Sequence, residues 1–308
     1  MTINHAQIYH RFEKTMKTKL FTPYFFIAPA LLTLLIFFFL PVSEAFLMSL
    51  TDFDIYSLSS LKRARFIFLN NYLQLINDPI FWKALFNTCY FVLVGGPLTI
   101  LMSLFTAIAL NSKLLRFKKF FRLAFFMPVV TSLVAVAVVW RYLYHPRFGV
   151  INYFLSFLGI DSIDWLGDPK WAMPALIILA VWKNFGYHMM IFLAGLQTIP
   201  DYLYEAARID GAGWWRQLTN ITIPQLAPTT FFVTIMTIIG YFQFFAEPYI
   251  MTQGGPLNST LSIVLYLYQH GFRWWRMGYA SSIAFILFFI VCFLAMLQML
   301  VRKKLEQS

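Results

Sequence analysis

Few side chains in this apolar chain of 308 residues are equipped for chemistry, and they fall in two groups. In the first, Lys183, Asn184, Tyr187 and His188 lie inside one apolar run, and Tyr241, Gln243 and Glu247 inside another. Amide, hydroxyl, imidazole and carboxylate groups beside aromatic rings suit a polyol, whose hydroxyls take directed hydrogen bonds while its CH faces rest on the rings. The same groups equally suit hydrogen bonding between neighbouring helices. Glu247, just before Pro248, also suits contact with a partner protein. In the second group, Glu205, Arg208, Asp210 and Arg216 crowd between two long apolar runs, in YEAARIDGAGWWRQLTNITIPQLAP.

Neither group forms a catalytic set. His5, His10, His145, His188 and His270 are scattered, with no i, i+4 pair and no C-x-x-C, so no metal site is expected. G-x-S-x-G does not occur. Gly95-Gly96-Pro97 and Gly254-Gly255-Pro256 lack the Lys and Ser/Thr that hold phosphates, and read as turns or helix breaks. The chain is expected to be no enzyme and to carry no cofactor. If ATP drives it, another chain must hydrolyse it.

The elements that position these residues follow from composition. The chain is 60% hydrophobic, 19% aromatic and 12% charged, with mean hydropathy +0.67. Soluble domains hold about 45–50% apolar and about 25% charged residues. Apolar runs long enough to cross a bilayer as helices predict six spans, at 24–50, 81–110, 120–144, 171–199, 225–251 and 279–301. Pro41, Pro97, Pro128 and Pro174 lie in or near spans, where neighbouring helices can satisfy the groups they free. The fold class is therefore an all-α polytopic membrane protein. Cys89 and Cys292 fall inside spans and read as packing residues. The first 20 residues are polar and basic, and the run after them is too long for a signal peptide and lacks an A-x-A site, so the first span is expected to stay as an anchor.

A net charge of +11 sets topology here and does not point to nucleic acid. Arg11, Lys14, Lys17, Lys19, Lys113, Arg116, Lys118, Lys119, Arg122, Arg208, Arg216, Arg302, Lys303 and Lys304 fall on one side of the six spans. The other side holds fewer, among them Lys62, Arg63 and Lys83, offset by Asp52, Asp54, Asp78, Asp161, Asp164 and Asp168. The bias places both termini and the charged segment in the cytoplasm. The expected division is a cytoplasmic tail at 1–20, the first span and an outer loop at 21–80, a core at 81–302 and a second tail at 303–308. Lys183, mid-span, costs about 2.5–3.5 kcal/mol on insertion scales and must face protein or water.

The charged segment reads as a hairpin at 200–224. Pro200 and Asp201 suit a first helical turn. Leu203, Ala206, Ala207 and Asp210 follow i, i+3, i+4, i+7 spacing, a small-residue face open to close approach. Gly211 fits a helix stop, and a second short helix carries Trp214, Trp215, Leu218 and Ile221 up to Pro224. Such a pair suits either docking to another protein or resting its tryptophans among lipid headgroups.

EAARIDGAGWWRQLTNITIP resembles the EAA signature of bacterial ATP-binding-cassette (ABC) importer permeases, E-A-A-x-x-D-G-A followed by Phe, Ile and Leu-Pro. Glu205, Ala206, Ala207, Asp210, Gly211, Ala212, Ile221 and Pro224 match, while Leu218 and Ile223 stand where Phe and Leu are usual. LAGLQTIPDYLYEAARIDGA and PYIMTQGGPLNSTLSIVLYLYQHGF are similar to the carbohydrate-importer branch, the maltose- and glycerol-phosphate-type permeases. APALLTLLIFFFLPVSEAF resembles its first permease subunit. The resemblance implies a type I importer transmembrane domain in the bacterial cytoplasmic (inner) membrane. It also implies a hairpin, Glu205 to Ala212 with Arg208 included, that seats in a groove of an ATPase. The implied partners are a sister permease, two ATPase subunits carrying ATP and Mg, and an extracytoplasmic solute-binding protein. Asn184, Tyr187, His188, Tyr241, Gln243 and Glu247 would then line the path of a sugar-like solute. The rival, a secondary carrier driven by an ion gradient, calls for inverted repeats and paired broken helices, and neither is legible.

Overall fold

Two of the spans begin on the same local signal, an Asp-Pro pair. Asp78 accepts the Ile80 N–H at 2.8 Å and Asp168 accepts the Lys170 N–H at 2.8 Å. The prolines behind them occupy first-turn positions where no N–H is needed. A computed structural model describes residues 23–59, 65–112 and 115–305. The expected tail at 1–20 with Arg11, Lys14, Lys17 and Lys19, the connecting residues Lys62, Arg63 and Lys113, and residues 306–308 lie outside the described residues.

Helix α1 (Pro23–Ser49) carries a π-helical turn at Leu35–Phe39 and is followed by a loop and the short α2 (Asn70–Ile76). Then come α3 (Pro79–Asn111), α4 (Lys118–Val130), α5 (Leu133–Leu143), α6 (Val150–Ser156) and α7 (Pro169–Gln197). The hairpin consists of α8 (Asp201–Ile209) and α9 (residues 214–225). Last are α10 (Ala227–Phe242), α11 (Ala246–Met251), α12 (residues 263–273) and α13 (Met277–Leu305). Among the described residues there is no β-sheet, only the isolated bridge Thr51–Phe66.

α7 is the axis of the bundle. It buries Ala172, Leu176, Leu179, Ala180, Phe185, Met189 and Phe192 against α3, α4 and α10. Gly186 lets the α4 backbone touch it, since a Cβ there would sit 2.0 Å from the Phe125 carbonyl oxygen. At the end away from the hairpin, α3 pins the loop before α12. Lys83 donates to the Leu257 carbonyl at 2.7 Å, and Asn87 to Asn258 and Leu261 at 2.8 and 3.0 Å. α1 is exposed along most of its length and meets α13 near its own C-terminus, where Phe46 packs edge-on to Phe285.

The third and fifth expected spans are not straight. α4 and α5 meet at 99°, because Thr131 and Ser132 adopt extended backbone after Pro128. The fifth is interrupted at 243–245, between α10 and α11. The absence of broken helices expected from the sequence is thus corrected. So is the reading of Gly95-Gly96-Pro97, which lies inside the unbroken α3; Gly254-Gly255-Pro256 does form a turn. Lys183 explains how the sharper break is tolerated. Its ammonium donates to the carbonyls of Pro128 and Thr131, both at 2.9 Å, and so caps the C-terminal end of α4 from the middle of α7. A cation there also complements the partial negative charge of the helix end.

Lys183→Met should leave both carbonyls without a donor. Charge-assisted hydrogen bonds contribute about 1.5–3 kcal/mol each, so the melting temperature of the purified protein is expected to drop by several degrees. A melting curve matching the unsubstituted protein would show that the bend holds without the cap.

Candidate functional site

Asn184, Tyr187 and His188 lie on one face of α7, at i, i+3 and i+4. The broken fifth span presents Tyr241, Gln243 and Glu247 to the same space. All six line one cavity of about 430 Å³. The non-helical residues Gln243, Phe244 and Phe245 are part of its wall. Irregular backbone at membrane depth is tolerated where it is buried in protein or lines such a cavity.

The wall is held by side chains behind it. The Tyr241 hydroxyl pairs with Thr99 at 2.6 Å, and its ring packs on α3 at Gly95, where a Cβ would lie 3.1 Å from the ring. That close approach is why α3 has glycine there. Phe91 stacks on Phe244 with ring centres 3.9 Å apart. Thr237 donates its hydroxyl proton to the Val233 carbonyl at 2.8 Å, so at the 3.3 Å contact His188 Nε2–H is the donor. That tautomer makes Nδ1 an acceptor, buried and without a hydrogen-bond partner among the described residues. Asn184 donates to the Ala180 carbonyl at 2.9 Å. Glu247 is buried in the first turn of α11, within electrostatic reach of Lys183.

Sequence reasoning missed Thr237, Gly240, Phe244, Phe245, Met236 and Ala246 in this wall, and Phe91 and Leu133 from other helices. For the first three a signal exists: 237, 240, 241 and 244 form an i, i+3, i+4, i+7 stripe. Phe245, Phe91 and Leu133 are placed only by the breaks and the helix packing.

The hairpin ends α8 with two hydrogen bonds, Ala212 N–H to the Ala207 carbonyl at 2.8 Å and Gly211 N–H to the Arg208 carbonyl at 3.1 Å. This is the Schellman arrangement, and Gly211 supplies the left-handed residue it needs at φ +74°. Glu205, Ala206, Arg208, Asp210 and Gly211 are exposed. Ala207 and Ala212 are half-buried. Leu203, expected on the outward face with Ala206 and Ala207, instead packs inward with Tyr204 against Leu196, Ile199 and Leu226. The apolar side chains that point out include Tyr202, Trp214, Trp215 and Ile209, the last 86% exposed. The two helices are tied by Tyr204 OH and Thr222 Oγ1 at 3.0 Å. α9 runs one residue past Pro224, to Gln225.

Residues 76–306 match the family model described as binding-protein-dependent transport system inner membrane component. The chain belongs to that family. It is a permease subunit of an ABC importer, the multi-pass membrane part and not the ATPase. This permease is 38% identical over 278 residues to a lactose transport system permease protein, LacF, of Rhizobium radiobacter, covering 89% of this chain and 91% of that one. It is 35% identical to an arabinooligosaccharides transport system permease protein, AraP, of Bacillus subtilis, covering 90% and 87%. Its fold matches a crystal structure of a bacterial ABC transporter involved in the import of the acidic polysaccharide alginate, with TM-score 0.76, 23% identity and coverage of 96% and 99%. Membership removes the ion-driven carrier reading, although the permease does carry broken helices.

At the end of the permease away from the hairpin, Asp78 accepts hydrogen bonds from Tyr266 and, at 2.9 Å, from Tyr279. Burial pushes the Asp78 carboxyl up, but the bonds from Tyr266, Ile80 N–H and Tyr279 outweigh it and hold the group below its usual value. His270 is enclosed by the rings of Tyr266, Trp274 and Tyr279, each 4.5 Å away. Burial, helped by the Arg276 guanidinium and opposed by Asp78, pushes the imidazole down to about 4. The unfolded chain binds the His270 proton near pH 6.5 and the folded one near 4, so stability is full above 6.5 and falls as pH drops between them. Thermal melts of the unsubstituted permease should lose more over that window than melts of His270→Gln. Equal losses would place the titration elsewhere.

Proposed function

We propose that this permease, with a sister permease, forms the path by which a sugar-like solute delivered by an extracytoplasmic binding protein crosses the cytoplasmic membrane. The observation that carries the reading is the convergence of Asn184, Tyr187, His188, Tyr241, Gln243 and Glu247 on one cavity beside two helix breaks. The lactose and arabinooligosaccharide permeases among its relatives support the solute class. The distribution of Lys and Arg supports cytoplasmic termini, with the tail at 1–20, the anchor and outer loop at 21–80, the core at 81–302 and the last tail at 303–308.

Two ATPase subunits, which hold ATP and Mg, receive the hairpin at 200–224. Glu205, Ala206, Arg208, Asp210 and Gly211, with Tyr202, Ile209 and Trp214 around them, make the contact; Ala207 and Ala212 hold its shape from beneath. This is helix-in-groove recognition. The hairpin is rooted in the ends of α7 and α10 through Leu203, Tyr204, Leu196, Ile199 and Leu226. A displacement imposed by the ATPases therefore reaches the helices that wall the cavity and switches it between inward-open and outward-open. ATP drives the switch only through unequal affinity for the two states, and moving the balance from 1:99 to 99:1 takes about 5.5 kcal/mol.

Gly211→Pro cannot adopt φ +74° and should unmake the hairpin. Glu205→Lys reverses a charge on its outer surface. Each is expected to lower uptake at least about tenfold, while solute binding by the partner protein is unchanged. Normal uptake in either variant would overturn the coupling role.

A further inference from the structure

The cavity wall has an uneven charge and hydrogen-bonding character. Among the described residues, Glu247 is the only acidic side chain lining it, and no Lys or Arg lines it. The nearest cation along α7, Lys183, is committed to the Pro128 and Thr131 carbonyls and does not line the wall, although Glu247 lies within its electrostatic reach. His188 gives its Nε2–H to Thr237 and is left with an acceptor at Nδ1. The Asn184 amide donates to the Ala180 carbonyl. The wall thus carries a single acidic group, beside the Gln243 amide and the rings of Tyr187, Phe244 and Phe245.

We propose that this half of the cavity selects neutral polyhydroxy solutes over anionic ones, with Glu247 as the selecting group. The proposal rests on the reading of the cavity as the solute path. A sugar hydroxyl donates to the carboxylate while the CH face of its ring lies on an aromatic side chain. A phosphate, sulfonate or uronate brings a further negative charge and further acceptors, and like charges in one cavity repel. The fold leaves this choice open, because a transporter of the same architecture is involved in importing an acidic polysaccharide. The side chains of this chain decide it.

The test uses the whole importer in nanodiscs, with its sister permease and ATPases but without the binding protein, whose own selectivity would mask the effect. Met236 lines the cavity and is 40% exposed, so Met236→Cys in a Cys89→Ser, Cys292→Ser background gives a site for maleimide alkylation. Lactose and arabinotriose are compared with glycerol 3-phosphate and digalacturonate at equal millimolar concentration. The neutral pair should protect the site about tenfold more effectively than the acidic pair, a difference of about 1.4 kcal/mol. Glu247→Gln should bring the two pairs together. Equal protection by both pairs, or discrimination that survives Glu247→Gln, overturns the proposal and leaves the path reading standing. Alkylation that none of the four solutes slows overturns the path reading itself.

Discussion

A peptide carbonyl inside a bilayer has no water to turn to, and this permease places two backbone breaks among its spans. The arrangement around them follows from that constraint. At the sharper break the freed carbonyls of Pro128 and Thr131 are taken by Lys183 from the neighbouring helix. At the gentler one the loosened turn at 243–245 is turned into the wall of a cavity. A lysine that costs free energy to insert is thereby offset by carbonyls that would otherwise be unpaired, and each makes the other tolerable.

α7 is common to every part of this arrangement. It presents Lys183 to the bend and Asn184, Tyr187 and His188 to the cavity. Leu196 and Ile199 at its end root the hairpin. Its glycines keep the neighbours close: at Gly186 the α4 backbone touches it, and at Gly195 an added Cβ would lie 2.5 Å from Thr229 at the start of α10. Helices in contact this close form a continuous path of packed side chains from the hairpin to the cavity. The hairpin is fixed underneath by Tyr204 and Thr222 and studded outside with Ile209, Trp214 and Trp215.

Much of this was legible in the residues. Apolar length marked the spans to within a few positions. The six polar and aromatic residues singled out inside spans do line one cavity, and Gly211 is the left-handed stop its type suggested. Other features were hidden for physical reasons. Pro97 and Pro174 sit inside unbroken helices while Pro128 precedes a 99° bend, so proline alone does not say where a span breaks. Gly95 and Gly96 looked like a break and are instead a contact surface for Tyr241 and Thr237. Leu203 belonged to the right stripe, but the bundle end drew it inward and left Ile209 outside.

The sequence by itself determined that the chain crosses a membrane repeatedly, where its polar residues lie along each span, and that a stiff charged hairpin interrupts the apolar runs. Those properties depend on composition, on helical periodicity and on residues a few positions apart. Only the tertiary structure decided that Lys183 caps a helix more than 50 positions away, that two broken spans and α7 enclose one cavity, and which face of the hairpin is open. These depend on which neighbour reaches an unpaired carbonyl or covers an apolar stripe, and packing brings such partners together from distant parts of the chain.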